Sequence, residues 1–152
     1  MNPWTAIQEE AHQKPITAAV AAYFDRGEAA WTHKAWGRTV EGLTVHIEDL
    51  RDPDIAVSCL CLGGAIRHAI AEHFGFAMGE TGGLADELCR LYCAAGDIDP
   101  TDDREPFLNA VIDWNDAPGR TFDEVRELAH ATAFGWEAAL ARVKAFGEEA
   151  SS

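Results

Sequence analysis

Residues Pro106 to Lys144 read PFLNAVIDWNDAPGRTFDEVRELAHATAFGWEAALARVK, and this stretch decides the fold. Pro106 suits the first turn of a helix, where its missing N–H costs nothing, and Glu105 beside it complements the positive end of the helix dipole. Phe107, Ala110, Val111 and Trp114 then recur at three- and four-residue spacing as an apolar stripe. Asn115 to Gly119 must be a loop, because Pro118 and Gly119 together break a helix. Trp114 is expected to anchor the helix end, and Asn115 to close it in the left-handed conformation. Asp116 is expected to bond loop donors or pair with Arg120. Thr121 starts the next helix with Glu124 three residues later, the pattern of a capping box. Its inner stripe is Val125, Leu128, Ala129, Thr132, Trp136, Leu140 and Val143, with Asp123, Arg126, Glu127, His130, Glu137 and Lys144 opposite.

The same rules extend toward the N-terminus. Pro3 to about Gln13 is expected to form a short first helix, with Trp4, Ile7 and Ala11 as its only spaced apolar positions. Pro15 opens a longer one, striped by Ile16, Ala19, Val20, Tyr23 and Phe24 and ended at Gly27. From Ala29 to Ser58 the composition turns to β-formers. Leu43, Val45 and Ile47 alternate with Thr44 and His46, so a small β-hairpin is expected here, followed by an acidic loop from Asp49 to Asp54. Ser58 is read as the N-cap of a buried helix running to about Phe74. Gly63 and Gly64 inside it each cost roughly 1 kcal/mol relative to alanine. Two adjacent glycines at that cost imply that another backbone or a large ring packs against this turn. Leu84, Leu88, Leu91 and Tyr92 define a further helix stopped by Gly96. The expectation is a mainly α single domain over residues 1–147, with four to five helices and a hairpin between the first long helix and the Cys61 helix. Residues 148–152 are expected to be a frayed tail.

Composition bounds the function. A chain of 152 residues is long enough for one ordinary core, and the longest apolar run is too short to cross a bilayer. Glu9 and Glu10 stand where a secretory signal carries basic residues, so a cytoplasmic protein is expected. The formal net charge is −14. Between Asp97 and Glu127 ten acids face three bases, which places half of that charge in one fifth of the chain. Such a field repels nucleic acid and membrane surfaces and steers a basic partner; it also serves solubility alone.

Candidate chemistry was sought among the cysteines, histidines and carboxylates. Cys89 and Cys93 share a helical face and Cys59 and Cys61 flank Leu60, but neither spacing is the Cys-x-x-Cys knuckle of structural zinc. They read as core thiols. Asp97, Asp99, Thr101, Asp103 and Glu105 alternate like calcium-loop ligands, yet Asp102 occupies the required glycine position and Leu108 the position of the closing glutamate. No metal or other cofactor is expected. Cys61 at a helix start would feel a field that lowers its pKa, with His68 or His33 as base and Asn115 or Asp116 as orienter. No nucleophile motif surrounds it, so a buried thiol is the preferred reading. His68 and His73 are five apart and do not share a face, and Gly63-Gly64 lies in no phosphate-loop frame. Trp31, Cys61, Trp114, Asn115, Asp116 and Arg120 are the candidates for a polar pocket rimmed by tryptophan, weighed against a purely structural role for the loop.

Three landmarks carry a resemblance: Trp31-Thr32, Cys61-Leu62-Gly63-Gly64-Ala65-Ile66, and Trp114-Asn115-Asp116-Ala117-Pro118-Gly119-Arg120-Thr121 continuing through Glu124-Val125. Together they span roughly Tyr23 to Ala141. In these the chain resembles a family of small uncharacterised bacterial and phage proteins, a domain of unknown function. It departs from that pattern in a longer acidic insert between Gly75 and Asp103 and in extra cysteines. The resemblance implies the domain limits and a bacterial or phage setting, and names no reaction.

The leading expectation is a non-catalytic acidic binding protein, tied to a phage or mobile element. It would act on a basic protein surface as an inhibitor or nucleic-acid mimic, through Asp97, Asp99, Asp102, Asp103, Glu105, Asp123 and Glu127. The alternative is an enzyme or small-molecule binder using the pocket around Cys61 and the Trp-Asn-Asp loop. A third reading is an oligomerisation module in which Phe134 and Trp136 reach a second chain.

Overall fold

A computed structural model describes residues 10–45, 57–74, 82–100, 104–138 and 141. Five α-helices are found there: α1 Glu10–Phe24, α2 Leu62–Phe74, α3 Gly82–Gly96, α4 Pro106–Asn115 and α5 Phe122–Phe134. A two-stranded antiparallel sheet, β1 Gly37–Arg38 with β2 Cys59–Leu60, joins α1 to α2. The fold is mainly α with a small sheet between the first long helix and the Cys61 helix.

Helix α2 lies at the centre, packed against α1, α3 and α4, while α5 closes the structure against α1 and α3. Its position follows from its composition, since Leu62, Gly63, Gly64, Ala65, Ile66, Arg67, Ala69, Ile70 and Ala71 are all buried. Small residues let neighbouring helices approach, and Ile66 and Ile70 fill the core with Ile16, Val20 and Phe24 of α1, Leu88 and Tyr92 of α3, Leu108 and Val111 of α4, and Val125 of α5.

Helix α1 does not start at Pro15. It runs through it, because burial of Ile16, Val20 and Phe24 offsets the roughly 3 kcal/mol that an interior proline costs. Nearby, the Thr17 hydroxyl donates to the Gln13 carbonyl at 3.0 Å and the Lys14 carbonyl at 3.2 Å. The proposed helix from Pro3 falls mostly outside the described residues.

The sheet also departs from expectation. Of the alternating set, Val45 is buried and joins the core, but Leu43 is 66% exposed, so only part of that alternation marks a buried face; Ile47 lies outside the described residues. Gly42, at φ +84°, turns the chain back so that Thr44 bridges Arg38 and the Val45 N–H donates to the Gly37 carbonyl at 2.9 Å. The main partner of β1 is Cys59–Leu60, residues the sequence placed in the helix after a Ser58 cap. Their backbone is committed elsewhere: Ser58 N–H donates to the Arg38 carbonyl at 2.8 Å, Cys61 N–H to Trp36 at 3.1 Å, and Thr32 N–H to Leu60 at 3.1 Å. Gly37 permits this approach, since a Cβ there would sit 2.8 Å from the Cys59 carbonyl oxygen. The loop from Asp49 to Asp54 lies outside the described residues.

Helix α4 begins at Pro106 as read, but its cap comes from another helix. The Asp86 carboxylate on α3 accepts from the Phe107 and Leu108 N–H groups at 2.9 and 3.0 Å. Helix α5 carries the full capping box of Thr121 and Glu124. Its unbroken run stops at Phe134; the helix is interrupted at Gly135, and residues 136–138 and 141 are helical again. Leu140, Val143 and the tail at 148–152 lie outside the described residues. Trp136 turns inward, and its indole N–H donates to the Gln13 side-chain oxygen at 3.1 Å. It is therefore part of this chain's own core and does not reach outward, whereas Phe134 is 79% exposed.

Candidate functional site

The end of α4, the start of α2 and the segment from Trp31 to Trp36 meet at one place, and Asn115 is its hub. This last residue of α4 is fully buried. Its side-chain oxygen accepts from the Trp31 indole N–H at 2.8 Å and from the Leu62 N–H at 3.1 Å. Its amide nitrogen donates to the Thr32 carbonyl at 3.3 Å and to Asp116 Oδ1 at 3.0 Å. A primary amide offers two donors and two acceptor sites, and all are engaged. Asn115 stays helical and does not take the left-handed geometry expected of it; Asp116 follows as the C-cap at φ −91°.

The start of α2 explains the glycine pair. Cys61 stands just before the helix, and its sulfur accepts from the Gly64 N–H at 3.2 Å, as a capping hydroxyl would. A Cβ on Gly64 would lie 2.1 Å from the Trp36 carbonyl oxygen. One on Gly63 would meet the Trp36 ring at 3.3 Å and Ile112 at 3.1 Å. The glycines thus admit both a backbone and a ring, as two adjacent glycines in a buried turn imply. On its other contacts the Trp36 ring is covered by Arg67, whose guanidinium lies 4.7 Å from the ring centroid and 3.7 Å from the Glu105 carboxylate.

Burial pushes the Cys61 thiol up to about 12, against the smaller lowering effect of the helix N–H groups. The helix field expected to activate this cysteine is outweighed, and the sulfur is a neutral thiol at physiological pH. Cys89 is held well above its ordinary value and Cys93 is raised to about 12, in both cases first by burial. Among the described residues no three His, Cys, Asp or Glu side chains are arranged to hold a metal ion. His68 lines a different groove with Tyr23, Arg26 and Glu72.

Asp116 does not pair with Arg120. Its Oδ1 accepts from the Lys34 N–H at 2.7 Å, with Lys34 held at φ +62°. Arg120 donates to the Trp114 carbonyl at 2.8 Å and to Glu124 Oε2 at 2.9 Å, and its guanidinium lies 3.9 Å from the Trp114 ring centroid. The candidate residues therefore divide. Trp31, Cys61, Asn115 and Asp116 gather around the α2 start, while Trp114 and Arg120 form a separate stack that staples the loop to α5. Sequence reasoning missed Lys34, Ala35, Trp36 and Ile112, which with Cys61 and Asp116 line a recess of about 350 Å³. The second tryptophan, five residues after Trp31, was the available signal.

Of the acidic candidates, Asp97, Asp99, Asp123 and Glu127 are exposed. Gly96 brings the end of α3 onto α5, where a Cβ would lie 2.9 Å from Leu128, and the Asp97–Asp99 turn follows directly on that contact. Glu105 faces buried Arg67 and is only partly a surface charge. Asp102 and Asp103 lie outside the described residues.

A model of a family of unknown function, DUF6197, matches residues 14–134. The chain belongs to this family. The matched range runs from within α1 to the end of α5 and contains the whole Asn115 junction and its recess. No curated protein and no solved structure matches the chain. No helix among the described residues is long and apolar enough to cross a membrane.

Proposed function

We propose that this chain is a non-catalytic binding protein that presents an acidic helical surface to a basic protein partner. The observation that carries the reading is the set of exposed carboxylates Asp97 and Asp99, in the turn that follows α3, and Asp123 and Glu127, on α5, two helices that the Gly96–Leu128 contact holds together. A rigid mount matters because charges fixed before binding lose little freedom on association. Basic groups on α5 are diverted: Arg126 and His130 both engage Asp25 at the end of α1. The saturated Asn115 amide and the neutral Cys61 thiol support scaffolding over catalysis at the α2 start. In its sharper form the proposal is an inhibitor or nucleic-acid mimic that occupies a basic groove in a bacterial or phage setting. The free thiols fit a reducing cytoplasm.

The test uses polylysine of defined length as the basic probe. Neutralising Asp97, Asp99, Asp123 and Glu127 as Asn or Gln together should weaken binding by about tenfold or more. Salt raised to roughly 0.3 M should weaken the unmodified protein likewise. Neutralising Glu28, Glu41, Glu72 and Glu137 is the control of equal charge; an equal loss there overturns the assignment to this face.

A further inference from the structure

The recess beside the Asn115 junction has an uneven chemistry. The Trp36 ring, Ile112, the Ala35 methyl and the neutral Cys61 thiol make its walls apolar, and Asp116 is its acidic group. Two neutral donors, the Lys34 N–H and the Asn115 amide, fix one carboxylate oxygen without cancelling its charge. Among the described residues no cationic side chain pairs with Asp116; Arg120, four residues on, is turned to Glu124 and the Trp114 ring. The N–H groups of α2 that could attract an anion here are closed by Asn115 and by the Cys61 sulfur. A volume of about 350 Å³ is at the low end for ligand pockets and suits one side chain.

We infer that this recess receives a single lysine or arginine side chain of the basic partner, its stem along Trp36 and Ile112 and its charge on Asp116. The inference rests on the binding reading above and adds an anchor to it. A buried, charge-paired anchor surrounded by a polar rim is how protein interfaces concentrate affinity. Lys34 brings a like charge to the rim, which limits affinity and gives the proposal a further signature.

The probes are n-butylguanidinium, n-butylammonium and Nα-acetylarginine methylamide, with neutral n-butylurea as comparator, titrated into the full chain and followed by amide NMR. The cations should shift the Lys34, Trp36, Cys61 and Asp116 signals saturably, and the urea should not. Asp116→Asn keeps an acceptor for the Lys34 N–H and should weaken the cations by about tenfold or more. Lys34→Met should tighten them. Ala35→Trp, which fills the recess from a half-buried position, should abolish the shifts and serves as the second variant if Asp116→Asn unfolds. Equal shifts from the urea, or unchanged affinity in a folded Asp116→Asn, overturn the recess. Binding of butylguanidinium without the capped arginine overturns the partner side chain in favour of a free small cation. If these shifts survive while polylysine ignores the acidic surface, the surface reading fails and the recess stands.

Discussion

Asn115 and Trp31 are joined by a 2.8 Å hydrogen bond that spans 84 positions of sequence, and that bond fixes where the 31–36 segment crosses the start of α2. Because the same oxygen also caps the Leu62 N–H, Asn115 couples three elements at once. Replacing it with alanine strands an indole N–H and a helix N–H in a buried place. Each orphaned donor costs about 1–3 kcal/mol, so Asn115→Ala should lose roughly 2–6 kcal/mol in urea unfolding. Asn115→Asp retains the acceptor but sets a second carboxylate beside Asp116 and removes both donors. It should rescue little, and a variant near full stability would show that the junction is not a stabilising hub.

Gly64 faces a tighter constraint than Gly63. The Trp36 carbonyl is backbone, held by the Cys61 N–H at 3.1 Å, and cannot swing away from a Cβ at 2.1 Å. At Gly63 the contacts are side-chain atoms beyond 3 Å, which can shift slightly. Gly64→Ala should therefore cost about 3 kcal/mol or more, and Gly63→Ala about 1 kcal/mol or less. Thermal melts of the two variants decide it, and equal losses count against the close approach.

Much of this junction was legible from residue chemistry. The Thr121–Glu124 box, the Pro106 start and the demand for a close neighbour at Gly63-Gly64 each rest on local rules with one geometric solution. What was illegible depends on competition between distant parts. Pro15 obeys a first-turn rule in isolation, yet core burial on either side carries the helix through it. Cys59–Leu60 is a strand of two residues, too short for any periodicity to show. Arg120 had two carboxylates in reach, and stacking on Trp114 selects Glu124. The left-handed Lys34 carries no sequence signal, and without it the recess cannot be seen.

Asp25 ties α1 to α5 in a pH-dependent way. The His130 hydrogen bond, the largest effect, together with the Arg126 contact holds its carboxyl below the ordinary carboxylate value, against the opposing effect of desolvation, which exceeds the Arg126 hydrogen bond alone. A carboxyl lowered in the folded state stabilises above the unfolded-state value near 3.9, and that contribution disappears as pH falls through the folded value. Asp25→Asn should therefore be less stable than the unmodified chain at neutral pH, with the gap closing below about pH 4. Urea midpoints for both proteins across the acid range measure the gap. A gap that stays constant there would show that the Arg126 and His130 contacts do not depend on the charge.

The thiols give the last and simplest contrast. Disulfide exchange proceeds through the thiolate, so both accessibility and acidity govern the rate. Cys61 is buried and raised to about 12, Cys93 likewise, and Cys89 stands well above its ordinary value, while Cys59 is half-buried on β2. At pH 8 a thiol of pKa about 12 is ionised about one part in ten thousand, so burial suppresses attack in the closed fold, and only local opening, which solvates the thiol, restores it. In the folded protein an aromatic disulfide reagent should thus label at most one cysteine quickly, and Cys59→Ser should remove that fast phase. Full unfolding in guanidinium should expose all four. Rapid labelling of Cys61 in the native state would mean that the α2 start opens readily, and the rigid junction on which the recess depends would have to be abandoned.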